Sequence, residues 1–320
     1  MEGAPSAAQD RRGRVITIGV IAAVAVALLA AAPITLAQAP RAAGSLDRIR
    51  DTGRIALGYR ADTRPFAYKN ESGQAAGYSV SLCQKVADSV KSQLKLNALA
   101  VNWVAVTSDE RFQALQDGRI DLLCGADTET LARRADVAFS LPIFPGGIGA
   151  LVRSDAPARL KEVLAGHGQT YRPTWRASAS QVLQARAFSA VAGTTGETWL
   201  RERIDELQIV AGRSSVSSYD AGIQALLDRK SDVLFGERAI LMDAARRHPS
   251  ARDLMMIDRL FTYEPLALAM ARGDEDFRLA VDRALSQLYR SGAIGGLYTS
   301  SFGEPDENAL TFFRWNALPE

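Results

Sequence analysis

The chain has 320 residues, of which 47% are hydrophobic, so it is long enough to bury a sizeable core and to form two domains. Its 38 basic and 36 acidic residues nearly cancel, which argues against nucleic-acid binding, and its composition excludes a disordered or collagen-like chain. Two histidines and two cysteines are too few for a metal site built from these side chains, and no cofactor is expected.

The first 37 residues have the three parts of a secretory signal peptide. Three arginines lie among the first 14 residues, an uncharged apolar run covers 15–32, and small residues precede a predicted cleavage after Ala37. An uncleaved membrane anchor is the alternative, because an apolar run of 18 residues almost spans a bilayer. We expect cleavage and export.

Strands and helices alternate along the rest of the chain. The pattern predicts strands at 54–58, 99–106 and 120–124, and helices at 77–91 and 109–117. This alternation is typical of layered α/β folds. Export places Cys83, in the first of these helices, and Cys124, at the end of a strand, in an oxidising compartment. We favour a disulfide between them, with two buried thiols as the alternative.

A short pattern recurs 111 residues along the chain. Its first copy contains Gln113, Asp117 and Asp121, and its second contains Gln224, Asp228 and Asp232. Each copy predicts a helix, a tight turn and a strand that ends in glycine, so the chain is expected to form two lobes of related topology. Chance similarity is the alternative. Since ligands of α/β sheets bind beyond the carboxyl ends of strands, Asp127, Thr128 and Glu237 are candidate site residues.

Two segments after strands have the features of anion sites. Residues 128–133 are predicted to open a helix whose N terminus attracts an anion, and Arg133 in this segment is suited to hold a carboxylate by two hydrogen bonds. In the second segment, Thr194 and Glu197 have the spacing of a capping box. Ordinary capped helices are the alternative in both places.

Arg111 has an unusual position in a third predicted helix start. Thr107 and Glu110 form another capping box, which puts Arg111 in the first turn, where the helix dipole disfavours a cation. This hints at a role outside the helix, although a solvated surface arginine is the alternative. Common nucleophile, P-loop and zinc-protease motifs are missing from the sequence, which favours binding over catalysis.

Together, these segments resemble the family 3 periplasmic solute-binding proteins of amino-acid ABC transporters, and among them the glutamate/aspartate-binding proteins. The resemblance covers about 46–302. Its motifs, in chain order, are Gly58–Arg60 followed by Pro65 and Phe66, Gly77 and Tyr78, Arg111–Asp121, Thr128–Arg133, Phe139–Pro142, Gly193–Thr195 and Tyr298–Phe302.

The resemblance implies a two-lobed α/β fold, the periplasmic-binding-protein type II fold. Each lobe has a central sheet flanked by helices, and the ligand lies in the cleft between the lobes. We expect lobe I at 46–152 plus 262–302, and lobe II at 153–261 with an insertion at 155–188. Residues 303–320 are expected to form a polar tail.

The resemblance also implies a role for each candidate site residue. Arg133 and Thr128 would bind the α-carboxylate of an amino acid with help from Thr194, and Glu237 would bind its ammonium. The side-chain carboxylate would be bound by Arg60, Ser108 and Arg111. In physical terms, a neutral ligand would leave two of these arginines unpaired in a dry cleft, which is costly.

Three positions depart from the pattern of the glutamate/aspartate-binding proteins. Ala126 stands where a hydroxyl is usual, Glu237 replaces an aspartate, and Tyr219 lies near a position that can hold histidine. These departures bear on the identity of the ligand and leave the fold prediction unchanged.

The expected function is therefore that of a monomeric periplasmic protein that closes over an acidic amino acid and delivers it to an ABC permease, without catalysis. One alternative is an enzyme similar to the cyclohexadienyl or arogenate dehydratases, which resemble this family and use an acidic residue in the cleft. The other alternative is a sensor that only signals.

Overall fold

The computed structural model describes residues 44–166 and 179–320. The predicted signal peptide at 1–37 lies outside these ranges, as does part of the predicted insertion. Within the described ranges, no helix combines the length and apolar character needed to cross a bilayer.

Strands and helices alternate along the described chain, as the sequence predicts. The strands are β1 (Arg54–Tyr59), β2 (Asp62–Thr63), β3 (Ala67–Lys69), β4 (Ala75–Ala76), β5 (Ala100–Ala105), β6 (Leu122–Thr128), β7 (Val137–Gly146), β8 (Ile148–Arg153), β9 (Ala187–Val191), β10 (Gly212–Val216), β11 (Val233–Glu237), β12 (Leu254–Met256) and β13 (Glu264–Ala271). The helices are α1 (Ser45–Thr52), α2 (Tyr78–Gln93), α3 (Arg111–Gln116), α4 (Ala158–Ala165), α5 (Ala179–Leu183), α6 (Thr195–Leu207), α7 (Tyr219–Leu227), α8 (Arg238–Arg247), α9 (Glu275–Ser291), α10 (Ile294–Phe302) and α11 (Glu307–Asn316).

Two five-stranded sheets share one topology. The first sheet has the order β5-β1-β6-β13-β7 and the second has the order β10-β9-β11-β8-β12. In each sheet the first three strands are parallel, and the last two run antiparallel to their inner neighbours. Helices pack against both sheets, so the predicted two-lobed α/β fold is confirmed. We call the parts built on the first and second sheets the first and second lobe.

The chain crosses between the sheets twice, after β7 and after β12. The first crossover lies at 146–148, because β8 pairs with β11 and β12 of the second sheet. Residues 148–152 therefore belong to the second sheet, whereas the expected lobe I extended to 152. The second crossover covers 257–263 and leads into β13.

The repeated residues make the same hydrogen bonds in both lobes. The Asp121 carboxylate accepts a hydrogen bond from the Ala56 amide over 2.8 Å, and Asp232 accepts one from the Ala187 amide over 3.0 Å. The repeated glutamine of each copy donates to the aspartate four residues later over 2.7 Å. Each copy thus fixes one strand against the parallel strand beside it, which explains why the pattern recurs.

The predicted disulfide between Cys83 and Cys124 is present. Both residues are fully buried, and the bond joins α2 to the first half of β6. The disulfide therefore restrains the strand that leads directly to Asp127 and Thr128.

Replacing both cysteines with alanine is expected to lower the free energy of unfolding by about 3–4 kcal/mol, because the unfolded chain gains the entropy of an open loop. The loop closed by the bond spans 41 residues. Urea unfolding followed by circular dichroism measures the change. Wild-type protein in excess dithiothreitol is the control and should unfold close to the variant. Equal midpoints with and without reductant would contradict the prediction.

The expected polar tail at 303–320 contains a packed helix. Asp306 caps α11 by accepting a hydrogen bond from the Ala309 amide over 2.8 Å. Ala309 and Phe313, one helical turn apart, are both buried, and the Phe313 ring lies 5.3 Å from that of Tyr289 in α9. This apolar stripe packs α11 against the first lobe, whereas a polar tail was expected at these residues.

Candidate functional site

The candidate site residues lie on both sides of the interlobe cleft. Those of the first lobe lie in the loops after β1 and β5, at the start of α3, at the end of β6 and in the short 3-10 helix after it. Those of the second lobe lie in the loop after β9, at the start of α7 and at the end of β11. The residues predicted from the sequence are Arg60, Ser108, Arg111, Ala126, Thr128, Arg133, Thr194, Tyr219 and Glu237. Two carboxylates contact them: Asp127, which the sequence marked as a candidate without a ligand role, and Glu264, which it did not mark.

The segment after β6 is not a helix N terminus. Thr128 is the last residue of β6, and a turn and a short 3-10 helix at Arg133–Ala135 lead directly into β7. The predicted α-helix fails because the chain returns to the same sheet at Val137, which leaves too few residues for one. An anion at this place would therefore meet the Arg133 side chain and not a helix dipole.

Arg133 is a cation without a paired carboxylate within the described ranges. Its guanidinium donates to the Thr128 carbonyl over 2.8 Å and lies 5.3 Å from the centre of the Phe112 ring. The pKa of Arg133 is lowered to about 10, mainly by burial and in part by the positive charge of Arg111. A bound anion would relieve both effects.

Arg111 is held in place and neutralised by the protein itself. The predicted capping box is confirmed, since the Thr107 amide donates to Glu110 over 3.0 Å and the Glu110 amide donates to Thr107 over 3.3 Å. Arg111 is 3% exposed and does not extend into solvent. Its Nε donates to Oδ1 of Asp127 over 2.7 Å, a buried ion pair that the sequence analysis did not anticipate.

Arg60 is paired in the same way. Its guanidinium donates to both oxygens of Asp62, over 3.0 and 2.7 Å. Burial alone would lower the pKa of Arg60, but the two-fold bond to Asp62 raises it above the ordinary value. Tyr219 of the second lobe lies close to this pair and is itself buried, which raises the pKa of its hydroxyl.

Glu237 ends β11 and caps α8 across the cleft. Its carboxylate accepts hydrogen bonds from the Gly147 amide over 2.9 Å and from the Ala239 amide over 3.2 Å. Burial raises the pKa of Glu237 to about 7, and the nearby carboxylate of Glu264 adds to the increase. This site therefore favours a cation next to Glu237.

Glu264 is a site residue that sequence reasoning missed. Its carboxylate accepts hydrogen bonds from the hydroxyls of Thr128 and Thr195, over 2.9 and 2.8 Å, and from that of Thr262 over 2.8 Å. Because Glu264 begins β13 of the first sheet and Thr195 begins α6 of the second lobe, this residue links the two sides of the cleft. No motif marks Glu264, and only the neighbouring position of β13 beside β6 brings it to Thr128.

The Gly193 loop also contacts the first lobe. Thr194 caps α6 by accepting a hydrogen bond from the Glu197 amide, as predicted. The Ser108 hydroxyl donates to the Ala192 carbonyl over 3.2 Å, and Arg111 donates to the Gly193 carbonyl over 3.3 Å. Ala126 contributes no polar group and packs against the hydrophobic core.

Comparisons with known proteins agree with this architecture. Residues 55–304 match the sequence model of the bacterial extracellular solute-binding proteins, family 3. An L-glutamate/L-aspartate-binding protein of Pseudomonas aeruginosa is 27% identical, over 88% of this chain and 86% of that protein. An ABC transporter glutamine-binding protein of Bacillus subtilis is 26% identical, over 79% of this chain and 83% of the relative.

A solved structure has the same fold. It is an ancestral amino acid-binding protein, described as a precursor of cyclohexadienyl dehydratase, and it superposes with a TM-score of 0.65 at 23% identity. The match covers 81% of this chain and all of the other.

Proposed function

Because this chain belongs to family 3 of the bacterial extracellular solute-binding proteins, we propose that it binds a free amino acid in the periplasm and delivers it to the permease of an ABC importer. The observation that carries the proposal is Arg133, a partly buried cation at the cleft that has no paired carboxylate in the described chain. The α-carboxylate of an amino acid would supply the missing anion in a two-fold hydrogen-bonded pair.

The ammonium of the same ligand would bind at Glu237. Carboxylates and hydroxyls surround this position, since Glu264 is close and is itself bonded to Thr128 and Thr195. An amino acid lying between Arg133 and Glu237 would contact both lobes, so binding would favour the closed arrangement over an open one. The closed form is what a permease would recognise.

The names of the relatives support two classes of side chain. The Pseudomonas relative is named for acidic amino acids and the Bacillus relative for glutamine. An acidic ligand was expected because a neutral one would leave Arg60 and Arg111 unpaired. Asp62 and Asp127 neutralise these two arginines, so their charges no longer require an acidic ligand.

Calorimetric titration of the mature protein, refolded to remove any bound ligand, tests the proposal. The panel contains L-glutamate, L-aspartate, L-glutamine, L-asparagine, L-arginine and L-leucine. We expect at least one to bind with micromolar affinity or better, and the corresponding amine without an α-carboxylate to give no heat. The absence of measurable binding heat for every amino acid of the panel would reject amino-acid binding.

Binding is expected to release a proton from Glu237 below neutral pH. The free protein holds this proton because its pKa is about 7, whereas an ammonium beside the carboxylate stabilises the ionised form and lowers the pKa. Affinity should therefore rise with pH, by up to about tenfold per unit below pH 7, and level off above about pH 8. Calorimetric titrations in buffers of different ionisation enthalpy measure the number of protons released on binding. The isosteric Glu237→Gln variant should bind more weakly and show no proton release; an unchanged release would assign it to another group.

A dehydratase is the second candidate function. A carboxyl group with a pKa near 7 is suited to general acid catalysis, and Glu237 is such a group in the cleft. The solved structure with the same fold that is described as a precursor of cyclohexadienyl dehydratase is the reason for considering this class of enzyme. Incubation with prephenate or arogenate, with product absorbance as the readout, decides the matter: turnover that is lost in Glu237→Gln would favour the enzyme.

A further inference from the structure

The side-chain end of the cleft holds two complete ion pairs. Arg60 is bonded to Asp62 over 2.7 Å and Arg111 to Asp127 over 2.7 Å. Each guanidinium therefore has a carboxylate supplied by the protein, and the four charges cancel. A ligand carboxylate would have to compete with a covalently tethered one for either arginine.

Asp127 is a buried carboxylate with one unsatisfied oxygen. It is 3% exposed, and its Oδ1 accepts the hydrogen bond from Arg111. Its Oδ2 is buried and has no hydrogen-bond partner in the described part of the chain. Leaving such an oxygen without a donor is costly, so the site calls for a donor from a bound molecule.

Asp127 lies among the arginines that the side chain of a ligand would approach in the proposed orientation. Its carboxylate is bonded to Arg111 and is close enough to act electrostatically on Arg60 and Arg133. Gly125 makes room for it, since a Cβ at that residue would lie 2.4 Å from Oδ2. A carboxylate among three guanidiniums imitates the side-chain group of an acidic ligand.

The hydrogen-bonding groups left at this end match a carboxamide. An arginine has five N–H donors. In the described chain Asp127, the carbonyl and hydroxyl of Ser108, and the carbonyl of Gly193 take up four of those of Arg111. One N–H of Arg111 and Oδ2 of Asp127 thus have no partner in the described chain, and they belong to side chains that are bonded to each other through Nε and Oδ1. A carboxamide offers an acceptor to Arg111 and a donor to Asp127. A ligand carboxylate would instead lie next to the carboxylate of Asp127, and a cationic side chain would lie among three guanidiniums, so like charges would repel in both cases.

We propose that Asp127 takes the place of a ligand side-chain carboxylate on Arg111 and thereby restricts the cleft to amino acids with a neutral carboxamide side chain, such as glutamine or asparagine. This inference rests on the proposed function, in which Arg133 and Glu237 hold the α-carboxylate and the ammonium. It assigns selectivity to Asp127, a candidate from the sequence to which the family resemblance gave no role in ligand binding.

Calorimetric titration of wild type and Asp127→Asn with L-glutamine, L-asparagine, L-glutamate and L-aspartate tests the proposal. We expect the wild type to bind one of the amides at least about tenfold more tightly than the matching acid, because like charges in a dry cleft repel. The isosteric Asp127→Asn variant removes the internal anion, so the amide-to-acid ratio should shift towards the acid by at least about tenfold. Asp88→Asn, an exposed position on α2, is the matched control and should leave the ratio unchanged.

Each outcome separates the selectivity proposal from the proposed function. A wild type that prefers glutamate or aspartate overturns the role of Asp127 and leaves amino-acid binding intact. A folded Asp127→Asn variant with an unchanged ratio also overturns it. Binding of no amino acid rejects both. Should the variant not fold, the wild-type ratio decides on its own, and Asp127→Ser provides a smaller replacement.

Discussion

Arg133→Ala is expected to abolish amino-acid binding, with affinity reduced by at least about 100-fold for every ligand that the wild type binds. The guanidinium is the cleft cation with no paired carboxylate in the described chain, so its loss would leave the α-carboxylate without a countercharge in a partly buried site. Arg133→Lys should recover only part of the affinity, because an ammonium cannot form the two parallel hydrogen bonds. Calorimetric titration measures the affinities of both variants.

The neighbouring arginine provides the control for this measurement. Arg134 is exposed and pairs with Glu129 over 3.5 Å, so Arg134→Ala should change affinity by less than about twofold. Circular dichroism verifies that both variants are folded. If Arg133→Ala bound within tenfold of the wild type, the α-carboxylate would have to lie elsewhere, and the proposed orientation of the ligand would be lost.

Gly77→Ala is expected to destabilise the first lobe by more than about 3 kcal/mol. The glycine has φ of 122°, and a Cβ at this residue would lie 2.3 Å from the carbonyl oxygen of Phe66 and 2.8 Å from that of Pro65. These two carbonyls cannot move away freely, because they accept hydrogen bonds from the amides of Ser79 and Tyr78 at the start of α2. Thermal or urea unfolding measures the loss.

Gly73 offers a comparison at a glycine that also has positive φ. Its φ is 78°, and the nearest atom to an added Cβ is the flexible end of Lys69 at 3.6 Å. Gly73→Ala therefore carries the backbone cost alone, about 1–2 kcal/mol. Similar losses for the two variants would show that the close approach of α2 to Phe66 does not limit stability.

The lobe architecture was predictable because the sequence patterns that specify it are local. Strand and helix periods follow from which side chains are buried, and the predicted strand at 54–58 differs from β1 by one residue. The repeat around Asp121 and Asp232 was informative because each aspartate makes the same bond to an adjacent strand. Spacing alone was also enough to identify the capping boxes at Thr107 and Thr194.

The charge balance of the cleft was not predictable in the same way. Glu264 is 136 residues from Thr128 along the chain, and only the pairing of β13 with β6 brings them together. Asp127 stood out as a residue beyond a strand end, but nothing in the sequence indicates that it faces Arg111. The helix expected after Thr128 failed for a related reason, since the need to return to β7 outweighs a favourable local pattern.

The two crossovers contact each other and also bind the carboxylates of the cleft. Gly147 lies against the second crossover so closely that a Cβ there would be 2.2 Å from the Thr262 carbonyl oxygen. The Gly147 amide donates to Glu237, and the Thr262 hydroxyl donates to Glu264. A rotation of one sheet against the other has to be accommodated in these two crossovers, because they are the described segments that join the sheets. A change of charge at Glu237 or Glu264 would therefore act on residues of the crossovers themselves.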